Sequence, residues 1–301
     1  MLLPKTEKRA NGEAFDEMSP AKAIDAFVNA QQAAAGAVSA IPKEIDAGAD
    51  AMAQAVRDGK SLIYVAAGSS GLMALADACE LCGTFGISGD IVQIHMAGGV
   101  PTTGYMPGNT EDETDKAENI GRTTSKGDVA LILSASGTTP YAVAAARSIK
   151  TSGGTVIGIA NNPSTELLNL ADIKVCLETP PEIIAGSTRL GGATAQKVAL
   201  NLMSSLMGVK LGHVYQGLMV NLIADNAKLV QRAAAIVSQI AKVSGQDARD
   251  ALEQTSGNTK AAILVAAGAS LDAAQAALRS NDGHLGPCIA TLKPTKPKKS
   301  N

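Results

Sequence analysis

Between about residues 60 and 180 the chain repeats one pattern. A short run of apolar and β-branched residues is followed by a few small polar ones and then by apolar positions at helical spacing. The short runs are SLIYVAA (61–67), IVQIHMA (91–97), DVALILSA (128–135), TVIGIA (155–160) and DIKVCLE (172–178). Their apolar residues are consecutive rather than alternating, as in strands covered on both faces, and helical patterns separate most of them. The pattern predicts an α/β fold: a five-stranded parallel sheet flanked by helices.

Upstream, Ser19 and Pro20 read as an N-cap and a first helical residue, opening a helix through AKAIDAFVNAQQAAAGAVSAI. A second helix, KEIDAGADAMAQAVRDG, follows Pro42 and stops at Gly59. Downstream, Met and Leu at helical spacing predict helix from about residue 190 to 240. Ser244, Asn258 and Ser270 then read as caps of three short helices, a small bundle distinct from the sheet. The Pro- and Lys-rich end, PTKPKKSN, is expected to be disordered and solvated. The resulting division is a helical arm (1–42), a sheet domain (43–240), a small bundle (241–284) and a tail (285–301).

Composition narrows the function. Aromatic residues are 2% of the 301 and Trp is absent, so Ala, Val, Leu, Ile and Met fill the core and base-stacking platforms are scarce. A formal net charge of -2 gives no broad attraction to nucleic acid or to an anionic membrane, so neither is expected as a partner. The first ten residues, MLLPKTEKRA, carry charges where a signal peptide needs an apolar core, and the longest apolar run, around AAILVAAGASL, is short of a membrane span. A cytoplasmic protein with reduced thiols is expected. Cys79 and Cys82 form a C-x-x-C without a second pair, and His95, His213 and His284 are widely spaced, so no metal site is expected. In their helical, Ala-rich context both thiols read as small buried side chains.

The candidate chemistry lies where the runs end, because ligands of parallel sheets collect at the carboxyl ends of the strands. GSSG (68–71) follows the first run, AGG (97–99) the second and SASGTTP (134–140) the third. A Gly/Ser turn before a helix offers backbone N–H groups, hydroxyls and the positive end of the helix dipole, a combination that suits phosphate. GSSG has neither the Lys of a Walker A loop nor the spacing of a dinucleotide fingerprint. Ser69 and Ser70 in the first turn, and Ser134, Ser136 and Thr139 in the third, are the candidate phosphate ligands; simple helix capping is the alternative. Glu80 stands among Ala, Cys and Leu, where a buried, unpaired carboxyl is costly and is held protonated. Glu111, in TEDETDKAEN, reads on its own as part of a solvated acidic first turn.

In order along residues 19–280, AAGSSGLMALADACELCGTFG, AGGVPTTGYMPGNTED, SASGTTPY, GSTRL with ATAQKVALNLMSSLM, and GHVYQGLMVNLIADNAKL resemble the N-acetylmuramic acid 6-phosphate etherases, a branch of the sugar isomerase (SIS) domain family. The resemblance implies a flavodoxin-like SIS sheet and a C-terminal bundle similar to a ubiquitin-associated domain. It implies a homodimer without metal or organic cofactor that takes a phosphorylated amino sugar in peptidoglycan recycling. The reaction implied is cleavage of the lactyl ether of N-acetylmuramic acid 6-phosphate to N-acetylglucosamine 6-phosphate and D-lactate. Glu80 matches the family's acid for the departing lactate oxygen, Glu111 its base at C2, and Ser187 of GSTRL joins the substrate-binding hydroxyls.

Several family positions differ. Leu72 and Thr138 stand where the family has arginine, Gly191 where it has lysine, Cys82 and Gly83 where it has two prolines, and Gly108 where it has a glutamate. Arg189 and Lys197 remain. Ser134 completes an S-x-S-G-x-T pattern similar to that of phosphosugar isomerases. Besides the etherase reading, an isomerase or lyase acting on another phosphorylated amino sugar stays open. So does a non-catalytic sensor similar to the glucokinase regulatory protein.

Overall fold

In the computed structural model, which describes residues 4–222 and 227–291, the five apolar runs are five strands of one parallel sheet: β1 (Leu62–Ala66), β2 (Val92–Met96), β3 (Val129–Leu133), β4 (Thr155–Ala160) and β5 (Ile173–Cys176). The order is β2-β1-β3-β4-β5. β1 and β3 are buried at every position, and the edge strands β2 and β5 are only partly covered. That difference explains why the central runs are uniformly apolar while β2 admits Gln93 and His95.

Helices α1 (Pro20–Gly36) and α2 (Pro42–Arg57) precede the sheet, each with proline at its first position. Between the strands run α3 (Gly68–Phe85), α4 (Thr114–Thr123), α5 (Pro140–Thr151) and α6 (Glu166–Leu170), and α7 (Gly191–Lys210) follows β5. Ile63, Val65, Ala130, Ile132 and Val156 form one apolar cluster with α4, α5 and α6. The alternate residues face the other way, where Ile157 and Met203 of α7 crowd Gly48 of α2 so closely that a Cβ there would lie 2.5 Å from the Met203 sulfur. The sheet and these helices belong to one compact unit, comprising described residues of Met1–Cys79 and Asp90–Leu206.

The second unit comprises described residues of Glu80–Gly89 and Met207–Asn301. Its helices are α8 (Ala227–Ala241), α9 (Gly245–Gln254), α10 (Thr259–Ala266), α11 (Leu271–Ser280) and α12 (Leu285–Thr291). Ser244, Asn258 and Ser270 cap α9, α10 and α11, each side chain accepting a first-turn amide. Continuous helix from 190 to 240 is not what forms. After α7 the chain makes a hairpin of β6 (Val214–Tyr215) and β7 (Leu218–Met219) before α8. The cause is local: Gln216 and Gly217 both take positive φ, as a two-residue turn of the mirror-image type requires. Residues 285–291, expected to be tail, are helical, because Leu285 and Cys288 anchor α12 in the unit's apolar cluster. Residues 292–301 lie outside the described residues, and no described helix is long and apolar enough to cross a membrane.

Candidate active site

The strand order places β1 between β2 and β3, so the chain leaves β1 in one direction and returns past it. Crevices form at such a switch point, outside the carboxyl ends of the strands. There the first unit holds a cleft of about 180 Å³ lined by Ser69, Ser70, Glu111, Ser134, Ser136, Thr139 and Thr188, with Glu7 from the N-terminal segment. Ala66 and Leu133 are in register, so the segments that follow β1 and β3 open side by side into it.

After β1 only Ala67 intervenes before α3 begins, so GSSG is the helix's first turn rather than a separate loop. Ser69 and Ser70 thus bring their hydroxyls to the end of a helix whose first amides have no carbonyl partners within it. After β3 the loop 134–139 is fixed from within. Ser134, 2% exposed, accepts the Gly137 amide on Oγ at 3.0 Å, and its Oγ lies 2.8 Å from Thr139 Oγ1 and 3.2 Å from Ser136 Oγ. Ser136 Oγ accepts the Thr138 amide at 3.2 Å. The loop is also tied to its neighbours: Ser134 donates its amide to Ile159 O, and Asn161 donates to Ala135 O. Gly137 is obligatory, since its φ is +71° and a Cβ would lie 2.3 Å from Thr165 Oγ1.

Glu111 reaches the cleft because the segment after β2 folds back on itself. Gly98 approaches Pro107 and Thr110 so closely that a Cβ there would lie 2.3 Å from Pro107 Cβ. The Glu111 carbonyl accepts the Tyr141 amide in the first turn of α5 at 2.9 Å, and its carboxylate Oε1 lies 3.0 Å from where a Gly68 Cβ would stand. The carboxylate is therefore beside the start of α3, where the helix dipole favours negative charge. Ser187, expected here, is not among the lining residues; its neighbour Thr188 is.

The expected burial of Glu80 is corrected by the structure. It is exposed, not buried, belongs to the second unit, and does not line the cleft. Ala74, Asp77, Ala78, Leu81 and Phe85 form the buried stripe of α3, and Glu80 shares the outward side with Ala76, Cys79 and Gly83. Small apolar residues on that outward side made the whole segment look buried. Cys79 is likewise exposed and Cys82 half-buried, contrary to the expectation for both, and both are free thiols. The buried acid of α3 is Asp77, 3% exposed. It accepts hydrogen bonds from Tyr64 Oη at 2.8 Å, Asn201 Nδ2 at 2.7 Å and Ser204 Oγ at 2.9 Å, tying β1, α3 and α7 together. Burial, and then the charge and hydrogen bond of Asp77, hold the Tyr64 hydroxyl well above its usual pKa.

Among the described residues no lysine or arginine lines the cleft, and Arg189 and Lys197 are both exposed. An anion there is met by hydroxyls and backbone amides. A larger groove of about 580 Å³ runs along α4 and α5 and includes Arg122 and Arg147, but Arg147 already donates to Glu166, and of the loop 134–139 only Thr138 borders it.

Comparison with known proteins shows the family. The SIS domain family matches residues 82–204. An N-acetylmuramic acid 6-phosphate etherase of Deinococcus radiodurans is 38% identical over 253 residues, covering 83% of each chain. The protein of the same name from Aeromonas hydrophila is 34% identical over 292 residues, 95% of this chain and 97% of its own. A phosphoheptose isomerase from Francisella tularensis aligns with 64% of this chain and 100% of its own, at 17% identity and a TM-score of 0.48. Matches of this extent to named etherases, enzymes that break carbon–oxygen bonds, are decisive for family: the chain belongs to the N-acetylmuramic acid 6-phosphate etherases.

Proposed function

We propose that this protein cleaves the lactyl ether of N-acetylmuramic acid 6-phosphate, giving N-acetylglucosamine 6-phosphate and D-lactate, as a cytoplasmic homodimer. The observation that carries the reading is Glu111, a carboxylate set beside the first turns of α3 and α5 in a cleft whose remaining polar side chains, Glu7 apart, are hydroxyls. The 6-phosphate sits against the α3 amides with Ser69 and Ser70 and against the loop of Ser134, Ser136 and Thr139. Opening of the sugar ring to the aldehyde makes the C2 proton acidic, and Glu111 removes it. The electron pair left at C2 forms the C2–C3 double bond as the C3–O bond to lactate breaks. Glu80, which lies outside the cleft of its own chain, meets the partner's cleft in the homodimer and there gives a proton to the departing oxygen. Water then adds its hydroxyl to C3 and returns its other proton to Glu80, while Glu111, whose proton exchanges with solvent as lactate leaves, protonates C2. In the dimer the exposed Leu72 of α3 and Leu202 of α7, at 37% and 40%, lie under the partner.

The test is lactate release. The purified protein is expected to release D-lactate from N-acetylmuramic acid 6-phosphate, and Glu80→Gln and Glu111→Gln each to lose about 10²- to 10⁴-fold of that rate, with binding of N-acetylglucosamine 6-phosphate retained. Interconversion of another phosphorylated amino sugar without lactate would assign the cleft to an isomerase. Binding without turnover of any of them would assign it to a sensor.

A further inference from the structure

The N-terminal segment supplies a cleft residue that no motif announces. Thr6 is 0% exposed although it lies near the chain's start. The Lys5 amide donates to Asn162 Oδ1 at 2.9 Å, and Asn162 Nδ2 donates to Thr6 Oγ1 at 3.1 Å and to the Ala135 carbonyl at 3.0 Å. On the other side the Gly186 amide donates to the Thr6 carbonyl at 3.2 Å. Residues 5 and 6 are thereby stitched between the phosphate-type loop 134–139 and the loop that carries Thr188. The following residue, Glu7, lines the cleft, and its carboxylate Oε2 lies 2.9 Å from where a Gly186 Cβ would stand.

Among the described residues the cleft therefore holds two carboxylates, Glu7 and Glu111, several hydroxyls and no cationic side chain. An ionised carboxylate only accepts hydrogen bonds, and it repels a phosphate dianion. A ligand satisfies both groups if its ester lies at the amide and hydroxyl end and its donors face the carboxylates. A sugar hydroxyl or acetamido N–H is such a donor. We propose that Glu7 is a further substrate-contacting residue, accepting hydrogen bonds from the sugar, and that Pro4–Lys8 forms one wall of the sugar subsite. This rests on the sugar phosphate reading above. It makes Glu7 a determinant of preference for a hydroxyl-rich phosphate ester over phosphate alone.

Calorimetric titration of the full chain with N-acetylglucosamine 6-phosphate and, separately, with inorganic phosphate tests it. Glu7→Ala is expected to weaken the sugar phosphate about ten- to a hundredfold, the range for losing hydrogen bonds to an ionised group, and Glu7→Gln to weaken it less. Inorganic phosphate should bind both variants at least as well as wild type, which also shows that the cleft is intact. Thr6→Val, which unpins the segment while leaving Glu7 in place, should weaken the sugar phosphate selectively as well. Wild-type binding of the sugar phosphate with no change in Glu7→Ala would overturn the role of Glu7 and leave the sugar phosphate reading standing, as would equal weakening of both ligands. Failure of wild type to bind the sugar phosphate at all would overturn both.

Discussion

Removing the carboxylate of Asp77 gives the sharpest test of how α3 is held. Asp77 is the common acceptor of three donors from β1 and α7, and replacing it with alanine orphans them unequally. Tyr64 is fully buried and its hydroxyl has no other partner among the described residues, so its desolvation is uncompensated. Ser204 already has a second acceptor in the Asn201 carbonyl at 3.2 Å, and Asn201 is partly exposed and recovers water. Hydrogen bonds to an ionised group contribute about 1.5–3 kcal/mol each, and a donor left unpaired in the interior costs about 1–3 kcal/mol. One full loss and two partial ones give about 3–5 kcal/mol for Asp77→Ala. Asp77→Asn keeps an oxygen for Asn201 and Ser204 and turns an amide toward Tyr64, so it should cost about 1–2 kcal/mol. Urea unfolding followed by circular dichroism is the assay, since the chain has no Trp to report by fluorescence. In the Asn variant the Tyr64 hydroxyl should also titrate at lower pH than in wild type, because the negative charge that opposes its ionisation is gone. An alanine variant within 1 kcal/mol of wild type, or an asparagine variant as unstable as alanine, would refute the reasoning.

The other predictions concern the loop and the second unit. Ser134→Ala removes the acceptor of the Gly137 amide and a partner of Thr139, and should weaken sugar phosphate binding about tenfold, measured by calorimetry, with little change in turnover at saturation. His213 is held down at about 4, first by burial and then by the charge of Lys260, against its hydrogen bond to the Phe85 carbonyl, with His284 also lowering it. An unfolded histidine titrates near 6.5, so the unfolded chain binds the extra proton between these values. His213 therefore contributes stability that is full above pH 6.5 and is lost as pH falls toward 4, about 1–2 kcal/mol for a group in part exposed. His213→Gln should flatten that slope in urea titrations across pH 4 to 7. Lys260 is held at about 8 chiefly by burial, with Cys288 acting in the opposite sense. Lys260→Met should therefore stabilise the protein at pH 7 by about 1–3 kcal/mol, with the gain fading between pH 8 and 10.5 as the folded wild type sheds its proton.

What the sequence disclosed and what it hid follow from the range of the forces involved. The strands were legible to within one or two residues because a strand covered on both faces must be apolar at consecutive positions, and the caps Ser244, Asn258 and Ser270 were legible because each acts on an amide three residues away. The internal cap of the loop after β3 has the same range, Ser134 accepting the Gly137 amide. The hairpin 214–219 was concealed because apolar residues flank Gln216 and Gly217 at spacings that also suit a helix, although that dipeptide between Val-Tyr and Leu-Met was the available sign. The burial of Glu80 was misjudged because an Ala-rich helix shows little difference between its inner and outer sides, and Asp77 was missed because its partners lie 13, 124 and 127 residues away. Glu7 escaped for a like reason: the bond that docks its segment joins Lys5 to Asn162, 157 residues on, a separation that leaves no periodic trace.

The proposed proton removal at C2 is tested most directly by isotope. With N-acetylmuramic acid 6-phosphate and the wild-type protein in deuterium oxide, the N-acetylglucosamine 6-phosphate formed should carry solvent deuterium at C2, and in water enriched in oxygen-18 it should carry the heavy oxygen at C3. Lactate released with the original hydrogen kept at C2 would contradict elimination by Glu111 and, with it, the account of this cleft.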